Sequence, residues 1–332
     1  IPKYISVSGI GNGAFAGCYN LAEVYNCSDY IKDMTIGSDS YGGVAKYAKV
    51  IHTDMSEASN IVRNGDYAMF KDGDEYILLG YFGDKTSLVL PEIATSINAY
   101  AFYENQKITS ITLGANITAI GEQAFYDCNN LVEVINKSGL NIVAGSSDNG
   151  YVAYNAQKVL TGEEERGGVF NVGDYSFYKQ GGEYILYRYN GSDKKLILPG
   201  LVDGGHTYKI GREVFRYGDI TSVVIPESVT AIGESSFYNC QNLTSVVIGE
   251  NVSTIGVFAF EYCQNLTSVV IGENMSTISY RAFGGCSKLT SVEFKNPEGW
   301  KRDGTAILAD DLRNFETAAK YLATNYYSWT RG

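Results

Sequence analysis

The sequence predicts a repeat solenoid built from parallel β-strands, and three observations within residues 220–294 support this. A segment of 23 residues recurs there, so Phe237, Phe260 and Phe283 stand at equal intervals. Each full copy opens with the pattern LxxVxIxxN. Leucine and cysteine recur in the same register, at Leu243, Leu266 and Leu289 and at Cys240, Cys263 and Cys286. A period in the twenties with this opening is typical of leucine-rich-repeat solenoids.

The opening of each copy predicts a short strand. Val246 and Ile248 alternate with Ser245 and Val247, which is the two-residue period of a strand with one buried face. One repeat buries too little apolar surface to fold alone, so successive copies must stack and share a core. An asparagine follows several strands, where its amide can bond to turn backbone. These asparagines are Asn116, Asn251 and Asn274.

The repeat rhythm is interrupted twice, and nine repeat strands are expected in total. The predicted segments are truncated N-terminal repeats (1–25), a first α+β insert (26–85), a repeat block (86–135), a second α+β insert (136–194), the main repeat block (195–295) and a C-terminal helical cap (296–332). Because the chain begins inside a repeat, further sequence is expected upstream.

The two inserts are related copies of one module. Asn26 in the first corresponds to Asn136 in the second. Each insert is expected to hold an amphipathic helix of about ten residues, followed by a hairpin whose turn is Asp72–Gly73 in the first copy. The candidate N-caps of these helices are Ser38 or Asp39 and Ser147 or Asp148.

After the last repeat, Asn314 is expected to cap a helix that extends to about Tyr326. Its predicted apolar face would cover the open end of the last repeat, where core residues and a strand edge would otherwise meet water. That face consists of Phe315, Ala318, Ala319 and Leu322.

Composition excludes several classes of partner. The 332 residues carry a net charge of −11 with a pI near 4.8 and no run of Lys or Arg, which argues against nucleic acid and anionic membrane surfaces. No apolar run approaches the roughly 18 residues of a membrane-spanning helix, so no transmembrane segment is predicted in this chain.

The cysteines at the repeat position are predicted to be buried free thiols that act as small hydrophobic residues. Five of the six occupy one repeat position, namely Cys18, Cys128, Cys240, Cys263 and Cys286. Stacked copies point these side chains in the same direction, which is a poor geometry for a disulfide. Cys27 lies outside this pattern.

No catalytic motif or cofactor-binding motif is present, so an enzyme is not expected. The two histidines, His52 and His206, are interpreted as solvated loop residues. The acidic stretches Asp72–Glu75 and Glu163–Glu165 could attract Ca²⁺, but neither has the spacing of a calcium loop, so no metal site and no cofactor are predicted.

The repeat resembles that of the BspA-like leucine-rich-repeat surface proteins of oral and gut bacteria, related to the treponemal type of repeat. The motifs that show this resemblance are LTSVVIGENVSTIGVFAFEYCQN at Leu243–Asn265 and IPESVTAIG at Ile225–Gly233. This resemblance implies secretion or display on the cell wall, adhesion to host proteins or other bacteria, and no catalysis. Asn105 and Gly218 depart from the pattern where a repeat cysteine is expected.

The outward strand positions of the main repeat block are the candidate binding residues, with Ser110 and Thr112 as counterparts in the earlier block. An aligned row of valines between hydroxyls could hold an extended protein segment or a glycan, although β-branched residues also favour strands without any ligand. The candidates are Ser222, Val224, Ser245, Val247, Ser268, Val270, Ser291 and Glu293.

Tyrosine-rich inserts offer a second binding hypothesis, since tyrosine provides a large contact area at small entropic cost. Most of these tyrosines are nevertheless expected to be half-buried sheet or helix residues. The sequence therefore predicts a non-enzymatic surface or secreted protein that binds a protein partner through its solenoid face. A glycan-binding protein that uses the inserts, and a spacer within a longer surface protein, are the alternatives.

Overall fold

The structure is a computed structural model that describes residues 1, 9–162, 167–324 and 327–332. The chain divides into two compact units, Ile1–Glu164 (the first unit) and Glu165–Gly332 (the second unit). In each unit, successive repeats pair their strands in parallel, which confirms the predicted leucine-rich-repeat solenoid. The predicted acidic stretch at Glu163–Glu165 and helix end at Tyr326 lie outside the described residues.

The first unit holds a repeat sheet in the order β11-β10-β8-β6, a parallel pair β1-β2, and a five-stranded sheet in the order β3-β4-β5-β7-β9. Its strands are β1 (Glu23–Tyr25), β2 (Val50–His52), β3 (Ile61–Asn64), β4 (Tyr67–Asp72), β5 (Glu75–Tyr81), β6 (Ser87–Val89), β7 (Ser96–Ile97), β8 (Ser110–Leu113), β9 (Ala119–Ile120), β10 (Glu133–Asn136) and β11 (Lys158–Leu160).

The second unit holds a repeat sheet in the order β15-β17-β19-β21-β23 and a ten-stranded sheet in the order β12-β13-β14-β16-β18-β20-β22-β26-β24-β25. Its strands are β12 (Gly168–Val172), β13 (Tyr175–Gln180), β14 (Glu183–Tyr189), β15 (Lys195–Ile197), β16 (Tyr208–Ile210), β17 (Ser222–Ile225), β18 (Val229–Ile232), β19 (Ser245–Ile248), β20 (Thr254–Ile255), β21 (Ser268–Ile271), β22 (Thr277–Ile278), β23 (Ser291–Phe294), β24 (Trp300–Arg302), β25 (Thr305–Ala306) and β26 (Trp329–Arg331).

The repeat phenylalanines form stacked columns, as the 23-residue period predicts. In the second unit the ring centroids of Phe237 and Phe260 lie 4.9 Å apart and those of Phe260 and Phe283 lie 5.1 Å apart, with nearly parallel planes. In the first unit Phe102 and Phe125 stack at 4.7 Å. Each ring is buried, so neighbouring repeats shield one another from water.

The repeat cysteines are free thiols, as predicted, and four of them link adjacent repeats. The buried Sγ of Cys263 donates to the carbonyl oxygen of Phe237 in the preceding repeat at 3.1 Å. Cys128, Cys240 and Cys286 make the same bond at 3.0–3.1 Å. The thiol therefore satisfies a carbonyl in the turn while filling a small apolar space. Cys18 is exposed, so the prediction of a buried thiol is wrong at this position.

The predicted asparagine bonds also connect repeats. Asn251 Nδ2 donates to the carbonyl oxygen of Glu227 at 2.8 Å, and Asn116 Nδ2 donates to that of Glu92 at 2.7 Å. Each acceptor lies in the preceding repeat, so the amide stabilises the stack rather than its own turn.

The turn that carries each phenylalanine has a regular backbone that the sequence did not predict. Around Phe237, Ser235 and Asn239 have positive φ values of 51° and 56°. The Phe237 amide donates to the carbonyl oxygen of Ala259 in the next repeat at 2.7 Å, and both flanking residues donate in the same direction. Left- and right-handed residues alternate in this way at the other repeats, which lets the turns pair along the stack.

The prediction of a ten-residue helix in each insert is wrong. Ser40–Gly43 forms a single turn and Asn149–Tyr151 a short 3₁₀ turn, and both contain left-handed residues that a continuing α-helix cannot accommodate. Neither Asp39 nor Asp148 makes a side-chain capping bond. The proposed N-caps, Ser38 and Ser147 included, therefore have no long helix to cap.

These segments instead form additional solenoid turns. The amide of Phe15 donates to Gly42 O at 2.9 Å and that of Phe125 donates to Gly150 O at 2.7 Å, which are the bonds that join one repeat turn to the next. β2 then pairs in parallel with β1, and β11 with β10. The repeat sheets consequently hold eleven strands in the described part of the chain, where nine were expected.

The predicted hairpins are present, and each is extended by a third strand. β4 and β5 pair through the Asp72/Glu75 turn, β13 and β14 through the Gln180/Glu183 turn. β3 and β12 add an antiparallel strand in front of each hairpin. The last strand of each meander then pairs in parallel with a repeat strand, β7 or β16, so the inserts continue the second sheet of the solenoid.

The C-terminal segment covers the last repeat with two helices, α1 (Ala309–Arg313) and α2 (Phe315–Ala323). Asn314 caps α2 as predicted, since its Oδ1 accepts from the amide of Thr317 at 2.9 Å. Ala318, Ala319 and Leu322 join the core as predicted. The placement of Phe315 on that face is wrong, because its side chain is exposed. Trp300 and Trp329 complete the cap from buried positions.

Candidate binding surface

The candidate binding residues lie in two rows across the repeat sheet of the second unit. The parallel register aligns Ser222 with Ser245, Ser245 with Ser268, and Ser268 with Ser291. In the same register Val224 pairs with Val247 and Val270 with Glu293. Since side chains alternate along a strand, the residues between these rows point into the core. The sequence-predicted residues are thus brought together on one face.

The valine row of this face is partly exposed to solvent. The side chain of Val247 is 55% exposed and that of Val224 is 37% exposed, whereas Val270 is half-buried. At the end of the row Glu293 is half-buried and pairs with Lys295 at 2.8 Å. Ser245 and Ser268 are exposed, while Ser222 and Ser291 are half-buried. The resulting surface is a row of apolar side chains. Serine hydroxyls lie beside this row, and the Glu293–Lys295 ion pair lies at one end of it.

Sequence reasoning missed one member of this surface. Ile197 on β15 aligns with Val224 and is 75% exposed. The signal was available, because Leu196, Ile197 and Leu198 repeat the apolar pattern of the following strand, Val223–Ile225. Ile197 extends the exposed apolar row by one strand, and we call the row Ile197, Val224, Val247 and Val270 the apolar ridge.

The first unit does not present the same surface. Ser110 and Thr112, predicted to face outward, are only 7% and 5% exposed. Every residue of β8 and β10 is buried, and the hydroxyl of Ser110 lies 2.7 Å from that of Ser87. Exposure of these two residues was therefore a wrong prediction. Two-sided burial is a property that the alternating pattern cannot reveal.

The tyrosines of the inserts are packed as expected. Tyr178 and Tyr184 are buried, and ten others are half-buried. The half-buried ones are Tyr41, Tyr47, Tyr67, Tyr76, Tyr81, Tyr151, Tyr154, Tyr175, Tyr187 and Tyr189. Their rings contact one another or cover the hairpins. For example, Tyr67 lies against Tyr81 at 5.0 Å in the first hairpin, and Tyr175 lies against Tyr189 at 5.0 Å in the second.

The assignment of His52 to a solvated loop is wrong. His52 ends β2, and its side chain is 4% exposed. Its Nδ1 lies 3.2 Å from Glu57 Oε2, and its Nε2 lies 3.5 Å from Glu23 Oε1. The hydrogen bond to Glu57 raises the pKa of His52, burial opposes this effect, and Glu23 adds to it. The ring is therefore held between two carboxylates.

The surroundings of His52 indicate a structural role. Its ring stacks on Tyr25 at 4.3 Å. Glu57 Oε1 also accepts from the amides of Thr53 and Asp54 at 2.9 and 3.0 Å, and Ser59 Oγ donates to Glu23 at 2.6 Å. The cluster fixes the connection from β2 to β3. His206 is a solvated loop residue, as predicted, and stacks on Tyr184 at 4.6 Å.

Among the described residues, no helix combines the length and the apolar character that crossing a bilayer requires.

Comparisons with known proteins identify the repeat. The model of the BspA type leucine rich repeat region matches six copies, over residues 81–149 and 208–301. No curated protein matches the chain.

Several solved structures are similar to this chain. A leucine-rich repeat protein from Bacteroides capillosus is 26% identical, covers 39% of this chain and 99% of its own, and has a TM-score of 0.35. A leucine-rich cell surface protein from Faecalibacterium prausnitzii is 14% identical over 73% of this chain and 96% of its own (TM-score 0.36). The pneumococcal vaccine antigen PcpA is 12% identical over 74% of this chain and 84% of its own (TM-score 0.40).

The matched family is defined by a repeat and not by a catalytic site. Its six copies coincide with the stacked phenylalanine turns and parallel strands described above. Residues 81–149 and 208–301 of the chain are leucine-rich repeats of the BspA type.

Proposed function

We propose that this chain is a non-enzymatic binding protein, displayed on or released from the bacterial surface, that holds a protein partner against the apolar ridge. The observation that carries this proposal is the exposed row Ile197, Val224 and Val247 on a rigid parallel sheet. Aligned exposed apolar residues rimmed by hydroxyls are typical of interaction sites. The repeats fix the spacing of the row, so little entropy is lost when a partner binds.

The chemistry of the ridge favours an extended protein segment as the ligand. The serine row supplies hydroxyl donors and acceptors beside the valines. Glu293 and Lys295 place charges of both signs at one end. Such a mixed surface resembles the apolar core and polar rim of protein interfaces.

An array of extracellular-matrix proteins and glycans, probed with the intact chain, tests this function. We expect retention on one or more proteins. The double variant Val224→Lys/Val247→Lys should then bind each of those proteins at least about tenfold more weakly, because burying two unpaired ammonium groups is costly. Point variants are preferable to deletion of the inserts. Deletion would remove β2 and β11, which belong to the repeat sheets.

The matched control is Val89→Lys, which changes a 60% exposed valine on β6 of the first unit. It should leave binding to the same proteins unchanged. A folded double variant that keeps full affinity for every retained protein would remove the ridge from the binding site. Absence of binding to any protein or glycan would favour a spacer, and retention on glycans alone would favour the glycan-binding alternative.

A further inference from the structure

Seven tyrosines form one continuous strip along the turns of the first unit, which we call the first tyrosine strip. Consecutive ring centroids lie between 4.1 and 5.7 Å apart, and each of the seven residues is half-buried, so part of each side chain is exposed to solvent. In spatial order the members are Tyr47, Tyr19, Tyr100, Tyr103, Tyr126, Tyr151 and Tyr154.

The second unit carries a shorter strip at the same turns, formed by Tyr217, Tyr238 and Tyr262. Neighbouring rings lie 5.8 and 5.7 Å apart and are nearly perpendicular. Here the chain supplies its own cations. The Arg216 guanidinium lies 4.9 Å from the Tyr217 ring and 5.2 Å from the Tyr238 ring, and that of Arg281 lies 5.9 Å from the Tyr262 ring.

Carboxylates complete the second strip. Arg216 pairs with Glu213 at 2.8 Å, and Arg281 pairs with Glu261 at 2.5 Å. Each guanidinium is therefore bound by aromatic rings and by a carboxylate at once, which is the arrangement that arginine's flat, delocalised cation favours. The second strip is an occupied arginine site.

The first strip has tyrosines at the repeat positions of those arginines. Arg216 directly follows its column phenylalanine, as Tyr103 follows Phe102, and Arg281 precedes its phenylalanine by two residues, as does Tyr100. Among the described residues, Lys46 lies over this strip. It lies 5.7 Å from the Tyr47 ring at one end and pairs with Asp39 at 2.8 Å.

Carboxylates flank the first strip at other positions of the repeat. Glu104, Glu122 and Asp127 are all exposed. Burial, and then the charge of Glu122, raise the pKa of the Tyr100 phenol, while burial and Glu104 raise the pKa of the Tyr103 phenol. Glu104 and Asp127 directly follow Tyr103 and Tyr126 in the chain, so carboxylates lie beside these two tyrosines. The pair Tyr126 and Tyr151 meets at 81°, as perpendicular as the arginine-binding pairs of the second strip.

We propose that the first tyrosine strip binds an arginine-containing basic segment of a protein partner, whose guanidinium groups stack on the tyrosine rings as those of Arg216 and Arg281 do in the second strip. The exposed carboxylates select a cation over a neutral or acidic ligand. The rings select arginine over lysine by stacking. This site is separate from the apolar ridge and belongs to residues of the first unit alone.

Fluorescence anisotropy with the intact chain tests the proposal. The probes are labelled ten-residue peptides in which glycine alternates with arginine, lysine, citrulline or glutamate. We expect the arginine peptide to bind most tightly and the lysine peptide more weakly. The citrulline peptide keeps the shape of arginine without its charge, and it should bind far more weakly, as should the glutamate peptide. Arginine-peptide affinity should fall as salt increases.

Two double variants separate the aromatic from the charged contribution. Tyr103→Leu/Tyr126→Leu should weaken arginine-peptide binding at least about fivefold through loss of cation–π contacts. Glu104→Gln/Asp127→Asn should weaken it as well and reduce the dependence on salt. The control Tyr238→Leu/Tyr262→Leu alters the second strip and should leave binding unchanged. Circular dichroism verifies that each variant is folded.

Several outcomes would overturn the proposal. They are no arginine-peptide binding at millimolar concentration, equal binding of the citrulline or glutamate peptide, or unchanged binding by both first-strip variants. Should the tyrosine variant fail to fold, the Glu104 and Asp127 variant decides, because both side chains are exposed. The Val224→Lys/Val247→Lys variant should bind the arginine peptide normally, so failure of the ridge and failure of the strip are distinguishable.

Discussion

The repeat block at 86–135 and the block at 195–294 have the same interior and different surfaces. Their phenylalanine rings stack at 4.7 and 4.9–5.1 Å, and their cysteines bond to the preceding turn at 3.0 and 3.0–3.1 Å. The outward strand position is buried at Thr112 and exposed at Val247. The turn surface carries tyrosines in the first and Tyr–Arg contacts in the second.

This difference shows which positions the repeat leaves free. A side chain in the stack touches its own counterpart in the next copy, so interior residues can change only together. Outward strand and turn positions that are exposed to solvent have no such constraint. Function is therefore expected where the blocks differ, and stability where they agree.

The equivalence of the two interiors predicts the largest effect. Phe260→Ala in the second unit and Phe125→Ala in the first should each lower the free energy of unfolding by about 3–5 kcal/mol, because each removes a buried ring from a stacked column. Phe260 should cost more, since it contacts a ring on both sides. Urea denaturation followed by circular dichroism measures both losses. A loss below about 1 kcal/mol at either site would contradict a shared core.

The cysteine position allows a buried and an exposed thiol at the same place in the repeat to be compared. Cys263→Ala should cost about 1–3 kcal/mol, because the buried Phe237 carbonyl loses its Sγ donor and a small cavity forms. Cys18→Ala changes an exposed member of the same position and should shift stability by no more than about 0.5 kcal/mol. Thermal unfolding of both variants beside the unmodified chain provides the measurement. Equal costs would show that burial does not set the role of this thiol.

The fold was predictable because its determinants lie at fixed spacing. The spacing of Phe237, Phe260 and Phe283 predicts the stacked column of rings, and the LxxVxI pattern predicts the strands. The two extra turns were missed because GYVAYNAQKV lacks both the phenylalanine and the leucine of the motif. The small residues of this segment are compatible with a helix and with a turn, so the sequence pattern does not distinguish the two. The left-handed residues that distinguish the two, such as Tyr41, have no strong sequence signal.

The candidate sites were predictable only in part. The serine and valine rows follow directly from strand alternation. The burial of Thr112 and the contacts of Arg216 do not, because both depend on side chains from other repeats. The sequence pattern of one repeat does not show which side chains of other repeats will cover or contact its residues.

The asparagine bonds offer a smaller test that applies to both blocks. Asn116→Ala and Asn251→Ala should each destabilise their unit by about 0.5–1.5 kcal/mol through loss of one hydrogen bond to the preceding repeat. Asn274 occupies the same position, and no side-chain bond is recorded for it in the part of the chain that the structure describes, so Asn274→Ala is the matched control. Chemical denaturation of the three variants should separate the control from the other two.

The smallest effect is a dependence of stability on pH that belongs to one of the two added turns. His52 on β2 and Leu160 on β11 occupy equivalent positions, paired with Tyr25 and Ile135. Of His52 and Leu160, only His52 can titrate. Because Glu57, and secondarily Glu23, raise the pKa of His52 above its value in the unfolded chain, the protonated ring stabilises the folded state.

That stabilisation should be fully present below about pH 6.5, the pKa of an unperturbed histidine, and should be lost as pH rises through the higher pKa of the folded protein. His52→Leu, which copies the second added turn, should therefore reduce the melting temperature more at pH 5.5 than at pH 8.5. Leu160→Ala provides a control without a titrating group, whose cost should not change with pH. Nuclear magnetic resonance titration of the His52 ring measures its pKa directly. A value below that of an unfolded histidine would show that burial outweighs the two carboxylates, and the pH dependence would then have the opposite sign.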